Sequence, residues 1–337
     1  MILQKLCAYS EAVSLLEREN LAALKKNQEH IDSYFDAGGK IHLKYALYRN
    51  CNVCGSNSTR PFLLPTPYDL VECTSCGFRY MNPIIDPQKT TILTQGISRL
   101  RSEVIKDPQW VTRHERMTQQ VREILRLRDK GAFLDVGCGL GRHLRLAKKH
   151  FERAEGIELC KVSLEYCRAA GLQVYGDPLE TLNLTAASYD VVLMNQVIEH
   201  LSDPRTTCQE VWRVLKPSGI FYLDTPNFAS LAMRLFREHN RIISGSSHIS
   251  LFSVETLSRL LRSLGFEIVS TVTYQTDIFP VDLAVFLFDR KNFRHRRNLQ
   301  IPFYLLFYRV FHEIFEERVF RNLGDWGSYM RVIVRKP

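Results

Sequence analysis

Gly131-Ala132-Phe133-Leu134-Asp135-Val136-Gly137-Cys138-Gly139-Leu140-Gly141-Arg142 is the stretch on which the fold is decided. The apolar run 132–136 has the length and composition of a buried strand. The segment 142–149 has the spacing of a helix. Between them lie three glycines in the order G-x-G-x-G. Without Cβ atoms, such a loop turns tightly and lets the backbone approach a ligand. The helix that follows presents free N–H groups at its start.

The same alternation continues outward from this stretch. Strands are expected at 132–136, 154–157, 172–175, 189–194, 220–223, 266–273 and 329–334. Amphipathic helices are expected at 142–149, 162–170, 205–215 and 254–264, with a further helix-like stretch around Met117 to Leu127. Short apolar strands alternating with helices predict an α/β fold, with a parallel sheet covered on both faces.

Acidic residues stand at set places around the glycines. Glu158 ends the second strand, 23 positions after Asp135, where a carboxylate can accept from both hydroxyls of a ribose. Asp177 ends the third strand, where it could accept from an adenine amino group. The glycine spacing differs from the G-x-G-x-x-G of dinucleotide enzymes. Asp135, at a strand end, would repel a pyrophosphate but can hold a cationic aminoacyl group.

From Gly131 onward the sequence resembles the class I S-adenosylmethionine (SAM)-dependent methyltransferases. The resemblance implies a Rossmann-like, mostly parallel sheet of seven strands with helices on both faces. It places Asp135, Gly137, Cys138 and Gly139 at the methionine part of SAM, Glu158 at the ribose and Asp177 at the adenine. The phrase Asn195-Gln196-Val197-Ile198-Glu199-His200 matches the end of the fourth strand, with Asn195 and Gln196 on the cofactor side. Val214-Leu215-Lys216-Pro217-Ser218-Gly219 matches the turn before the fifth. One departure stands out. The residue that often donates its N–H to adenine is Pro178, which has none, so either Leu179 takes that place or the contact is missing. Cys138 reads as a small residue packed beside the cofactor.

His200 and His248 are the candidate catalytic residues. His200 lies in the family's Glu-His phrase. His248 precedes a helix expected to be capped by Ser253, with Glu255 in its first turn. A similar histidine in the family often faces the substrate pocket. Asn195-Gln196-Val197-Ile198 lacks the Asn/Asp-Pro-Pro-Tyr/Phe phrase of enzymes that methylate exocyclic base nitrogens.

Upstream, Cys51-x-x-Cys54 and Cys73-x-x-Cys76 are separated by 18 residues, and Gly55 and Gly77 follow the second cysteine of each pair. This is the two-knuckle pattern of a closed, structural Zn²⁺ site. A unit this small cannot build a sufficient apolar core, so a metal would supply its folding energy. A similar ribbon, running on into a phrase like Cys76-Gly77-Phe78-Arg79-Tyr80-Met81-Asn82-Pro83, precedes the SAM domain in bacterial methyltransferases that act on sugars and other small metabolites. The expected organisation is a helical segment 1–47, a zinc-ribbon-like unit 48–87, linker helices 88–130, and a methyltransferase domain 131–337 with an insertion at about 274–327.

The chain of 337 residues has a net charge of +9, which favours anionic partners. The insertion carries a basic cluster and an aromatic run over 290–311, which fit a helical cap, a substrate lid or a peripheral membrane contact. No stretch is long and apolar enough for a membrane span, and the start lacks the continuous apolar run of a signal peptide. A cytoplasmic protein is expected. The leading expectation is methyl transfer to a small-molecule acceptor, possibly anionic, of the sugar, nucleotide-sugar or secondary-metabolite class. An RNA methyltransferase is the first alternative, with nucleic acid the less favoured partner. A SAM-binding scaffold without turnover is the second.

Overall fold

The computed structural model describes residues 33–36, 40–62, 69–89, 110–237, 240, 243, 248–274 and 326–337. The expected N-terminal helix up to residue 32 and the basic and aromatic segment 290–311 lie outside the described residues. Residues 33–36 are a turn and a bridge, with Phe35 paired to Ile41, and not a continuation of a helix.

The cysteine-rich segment folds on short antiparallel strands. β1 (Ala46–Leu47) pairs with β5 (Ile84–Ile85), and β2 (Thr59–Pro61), β3 (Leu70–Cys73) and β4 (Arg79–Met81) form a meander. Helix α1 (Trp110–Leu127) follows. Ile124 on α1 is fully buried and packs with Phe133, Val191 and Tyr222. Part of the segment expected as linker helices, Trp110–Leu127, is thus a helix packed on the sheet through Ile124.

The main sheet is built from β6 (Ala132–Val136), β7 (Arg153–Ile157), β8 (Gln173–Tyr175), β9 (Tyr189–Asn195), β10 (Leu215–Pro226), β12 (Glu267–Tyr274) and β13 (Tyr329–Arg335). The strand order is β12-β13-β10-β9-β6-β7-β8, and only the pairs around β13 are antiparallel. This matches the expected seven-stranded, mostly parallel sheet. The order of travel reverses between β6 and β9. Open α/β sheets bind ligands beyond the strand ends at such a switch.

Burial explains the run of apolar residues. Leu134, Val192, Leu223 and Val332 face one core; Phe133, Val191, Tyr222 and Ile333 face the other. Alternation along each strand feeds both faces, so central strands read as continuous apolar runs. Helices α1 and α2 (Arg142–Ala147) cover one face, along with Cys167 of α3 (Lys161–Ala169). Helices α4 (Pro204–Val214) and α6 (Val254–Ser263) cover the other. Asp203 caps α4, accepting from the N–H groups of Arg205 and Thr206, with Pro204 at the first helical position. Ser253 caps α6 and Glu255 lies in its first turn, as the sequence predicts.

Three local features differ from the expected elements. Lys216 to Gly219 lie within β10 as an irregularity in its pairing with β9, with Ser218 at φ 62°, and do not form a separate turn. Helix α5 (Leu231–Phe236) and strand β11 (Ser250–Leu251) have no counterpart in the periodicity. A two-residue strand is too short to show a period.

β11 joins the two parts of the molecule. It pairs antiparallel with β4, so the small sheet has the order β11-β4-β3-β2. Arg49 reinforces this seam. Its guanidinium donates to the carbonyls of Ser202 (2.6 Å), Ile249 (2.5 Å) and Met81 (3.3 Å). Burial holds its pKa down to about 10, and it is satisfied almost wholly by carbonyl oxygens. Arg205 of α4 donates back across the seam to the carbonyls of Asn52 and Val53. Arg49→Ala should lower the unfolding free energy by about 2–4 kcal/mol, because several buried carbonyls lose a charged donor. Urea unfolding of the full chain measures this; a change under about 0.5 kcal/mol, the usual surface value, would argue against the clamp.

Candidate functional site

The loop between β6 and α2 is shaped by its glycines. Gly137 has φ 74°, and a Cβ there would lie 2.4 Å from Cγ2 of Val197. Gly141 has φ 68°, and a Cβ would lie 2.3 Å from Cδ1 of Leu172. Both positions exclude a side chain on two independent grounds, conformation and space. The N–H groups of Gly137 and Cys138 donate to the carbonyl of Ile157 at 2.8 and 2.9 Å. Cys138 is buried against Gly156, as expected for a packing residue.

Glu158 follows β7 and braces this loop. Its Oε2 accepts from the N–H of Gly139 at 2.8 Å, and its Oε1 from the N–H of Cys160 at 2.7 Å. Each oxygen keeps a further lone pair for a ligand hydroxyl. Asp177 is exposed, two residues beyond β8. Leu179 is buried and opens a single 3-10 turn, Leu179–Thr181, whose first N–H groups have no partner inside the turn.

Asp135 is 1% exposed, and burial, with Glu158 nearby, pushes its carboxyl up to about 8. Its Oδ2 has no hydrogen-bond partner. The nearest cationic candidate is Nδ1 of His143, at 3.9 Å, and burial holds that imidazole down to about 4, hence neutral. A buried carboxylate beside a glycine loop with an unmet acceptor suits an ammonium group in the loop.

A buried polar network connects this loop to the ends of β9 and β10. Gln120 of α1 is its hub. Its Oε1 meets Nε2 of His143 at 2.9 Å, while its Nε2 donates to Asn195 (3.0 Å) and Asp224 (3.1 Å). Asp224 also accepts from Gln196 at 3.0 Å and from the hydroxyl of Tyr274 at 2.7 Å. Burial raises the Asp224 carboxyl, while Arg331 opposes the rise from 3.7 Å. Asn195 and Gln196 are therefore tied to Gln120 and Asp224 by this network. Gln120, Tyr274 and Arg331 were not identifiable as site residues in the sequence. Each is an ordinary residue of a helix or strand until the fold brings them to Asp224.

His200 and His248 come together, with ring centroids 4.9 Å apart. Glu199 lies beside them, 2% exposed, and accepts from Thr225 through Oε2 at 2.8 Å. The four cysteines also converge. Cys51 and Cys76 have sulfurs 3.5 Å apart, as do Cys54 and Cys73, and all four sulfurs lie within 4.8 Å of one another. Tetrahedral Zn–S bonds of about 2.3 Å place sulfurs about 3.8 Å apart, so the quartet fits such an ion. No helix among the described residues is long and apolar enough to cross a membrane.

The chain is similar in sequence to known proteins. Residues 110–271 match the model of a methyltransferase domain family. Over 166 residues the chain is 32% identical to a protein of Mycolicibacterium smegmatis named "Probable S-adenosylmethionine-dependent methyltransferase", covering 48% of this chain and 61% of that protein. Over 187 residues it is 28% identical to O-methyltransferase resE of Aspergillus sclerotiorum, covering 50% of this chain and 66% of that one. The chain thus spans less than two thirds of either relative. Among solved structures, a SAM-dependent methyltransferase from Thermotoga maritima superposes with a TM-score of 0.48 at 21% identity, over 70% of this chain and 96% of that one. The matched segment resembles the methyltransferase domains of SAM-dependent enzymes and carries the mostly parallel sheet described above.

Gly137→Ala should cost about 1–3 kcal/mol of stability, from a strained φ and the collision with Val197. Thermal unfolding checks this, and a variant as stable as the parent would mean that the loop is not held as described.

Proposed function

We propose that this chain transfers a methyl group from SAM to a small-molecule acceptor of the sugar, nucleotide-sugar or secondary-metabolite class. The observation that carries the reading is Asp135, a buried acid with an unmet acceptor beside a glycine loop that admits no Cβ at two positions. In this reading Asp135, Gly137, Cys138 and Gly139 hold the aminoacyl end. Glu158 takes the ribose, Asp177 and Leu179 the adenine, and Asn195 and Gln196 line the donor side of the cleft. Bound SAM supplies a methyl already activated on a sulfonium. The protein's task is to align the acceptor and, for a hydroxyl acceptor, to take its proton. His200 and His248 stand at the strand ends where that acceptor would lie.

The ribbon favours a small acceptor. Its seam with β11 fixes the segment carrying His248, so the cysteine unit shapes the acceptor side. The sulfur spacing suits Zn²⁺ in a closed four-thiolate site, which supplies folding energy and no reactive position. Metal analysis of the purified chain should therefore find about one tightly held zinc, and a folded chain without metal would remove the ribbon reading. An internal, cytoplasmic setting fits reduced thiolates.

Methyl-labelled SAM incubated with fractionated host metabolites tests the acceptor class directly. Label in small metabolites is expected; label confined to RNA would favour the alternative. Glu158→Ala should weaken SAM binding at least tenfold by calorimetry, since two hydroxyl contacts to a charged acceptor are lost. His248→Ala should lower turnover far more than SAM affinity; parental turnover would return His248 to a purely structural role.

A further inference from the structure

We infer that Glu199, His200 and His248 form a divalent-cation site on the acceptor side of the cleft, separate from the cysteine quartet. Three ligand-bearing groups converge there. One carboxylate oxygen and one nitrogen from each imidazole lie within 4.8 Å of one another. Glu199 and His200 close a 3-10 turn, Ile198–His200, directly after β9. His248 arrives from a segment 48 residues later in the chain and is fixed beside them by backbone. The N–H of Ile249 donates to the carbonyl of Glu199 at 2.9 Å, and the hydroxyl of Ser250 donates to the carbonyl of Leu201 at 3.1 Å. The three groups are thus held before any ion arrives.

The second observation is the state of Glu199 itself. It is 2% exposed, one oxygen is held by Thr225, and the other, Oε1, has no hydrogen-bond partner. That oxygen lies 3.8 Å from Nε2 of His200, beyond hydrogen-bond reach. A buried, half-satisfied carboxylate is costly unless a cation or a proton completes it, and a cation held by two imidazoles and this oxygen would do so. Metal–ligand bonds of about 2.0–2.2 Å put neighbouring ligand atoms roughly 3–3.5 Å apart, so the 3.8 Å pair of Glu199 and His200 would close by a few tenths of an ångström, and a pair at the 4.8 Å limit would have to close by more than about 1 Å. Two imidazoles and one carboxylate also leave coordination positions open. One positive charge would remain after Glu199 neutralises half of the ion, leaving it able to take an acceptor oxygen. That role toward the acceptor rests on the methyltransferase reading; the binding of the ion does not.

The full chain, with zinc left on the cysteines, is titrated with Mn²⁺ and followed by electron paramagnetic resonance, and with Co²⁺ followed by visible absorption. Mn²⁺ avoids thiolates, and Co²⁺ binds imidazole more strongly, so the pair covers hard and borderline ligation. One ion per chain is expected, with spin-echo modulation from two imidazole nitrogens. Glu199→Gln and His248→Ala should each weaken binding at least tenfold. No binding of either ion at millimolar concentration, bound ion without nitrogen modulation, or parental affinity in both variants would overturn the site. SAM affinity measured on the same samples separates the two readings. Ion binding without methyl transfer would sink the function and leave the site, and methyl transfer without ion binding would do the reverse.

Discussion

The pairing of β11 with β4, sealed by Arg49, is the contact on which the functional arrangement depends. Remove it and the ribbon becomes a separate, nearly coreless unit, while the segment carrying His248 loses its anchor. The backbone bonds from Ile249 to Glu199 and from Met81 to Ile249 run through the same few residues. A strand added at an exposed edge gains main-chain hydrogen bonds without asking much of the side chains. Arg49 adds specificity, because a buried guanidinium tolerates only a cluster of correctly placed acceptors. Cys51, Cys73 and Cys76 join the same apolar cluster as Phe252 and Leu257 of the sheet domain. Order in the cysteine unit is therefore transmitted to the segment around Glu199 and Ile249 through packing as well as through the strand.

The donor side is built differently. Its shape comes from glycine conformation and backbone bonds, and its charges are few and deeply placed. Asp135, His143, Gln120 and Asp224 form a chain in which a neutral imidazole and an amide separate two buried acids. Like charges at such depth would repel strongly, and burial already raises both carboxyls. Gln120 resolves the conflict, since one amide can accept from His143 and donate to Asp224 and Asn195 at once. A buried network of this kind is stable only when nearly every member is satisfied. Oδ2 of Asp135, which has no hydrogen-bond partner, is the exception in this network.

How much of this was legible in the sequence follows from the same contrast. The sheet, its order-defining loop and the caps of α6 rest on local patterns such as glycine spacing, apolar runs and Ser253 before a helix. The cysteine quartet was legible because its spacing alone limits what four thiols can do. β11 was not, because two residues carry no period and its partner lies about 170 positions earlier in the chain. Gln120, Tyr274 and Arg331 were hidden for a related reason. They come from α1, β12 and β13, and meet only because the sheet order sets β13 beside β10. His200 and His248 were each nameable alone, but their convergence with Glu199 depends on that same unreadable strand.

That convergence constrains what the acceptor side can be. Glu199 is buried with an unmet oxygen, and two half-buried imidazoles face it. A single proton shared with His200 would compensate the carboxylate, but the 3.8 Å gap between them is too long for that hydrogen bond. A compact dication is the better geometric match, since it can touch all three ligands where a proton can bridge only two. It would also change the chemistry of the neighbouring histidines. Ligated imidazoles cannot serve as proton acceptors, so removal of a hydroxyl proton would fall to the ion's effect on the acceptor itself. The choice between a histidine base and a cation-bound acceptor therefore turns on one carboxylate oxygen, and it leaves the donor loop untouched.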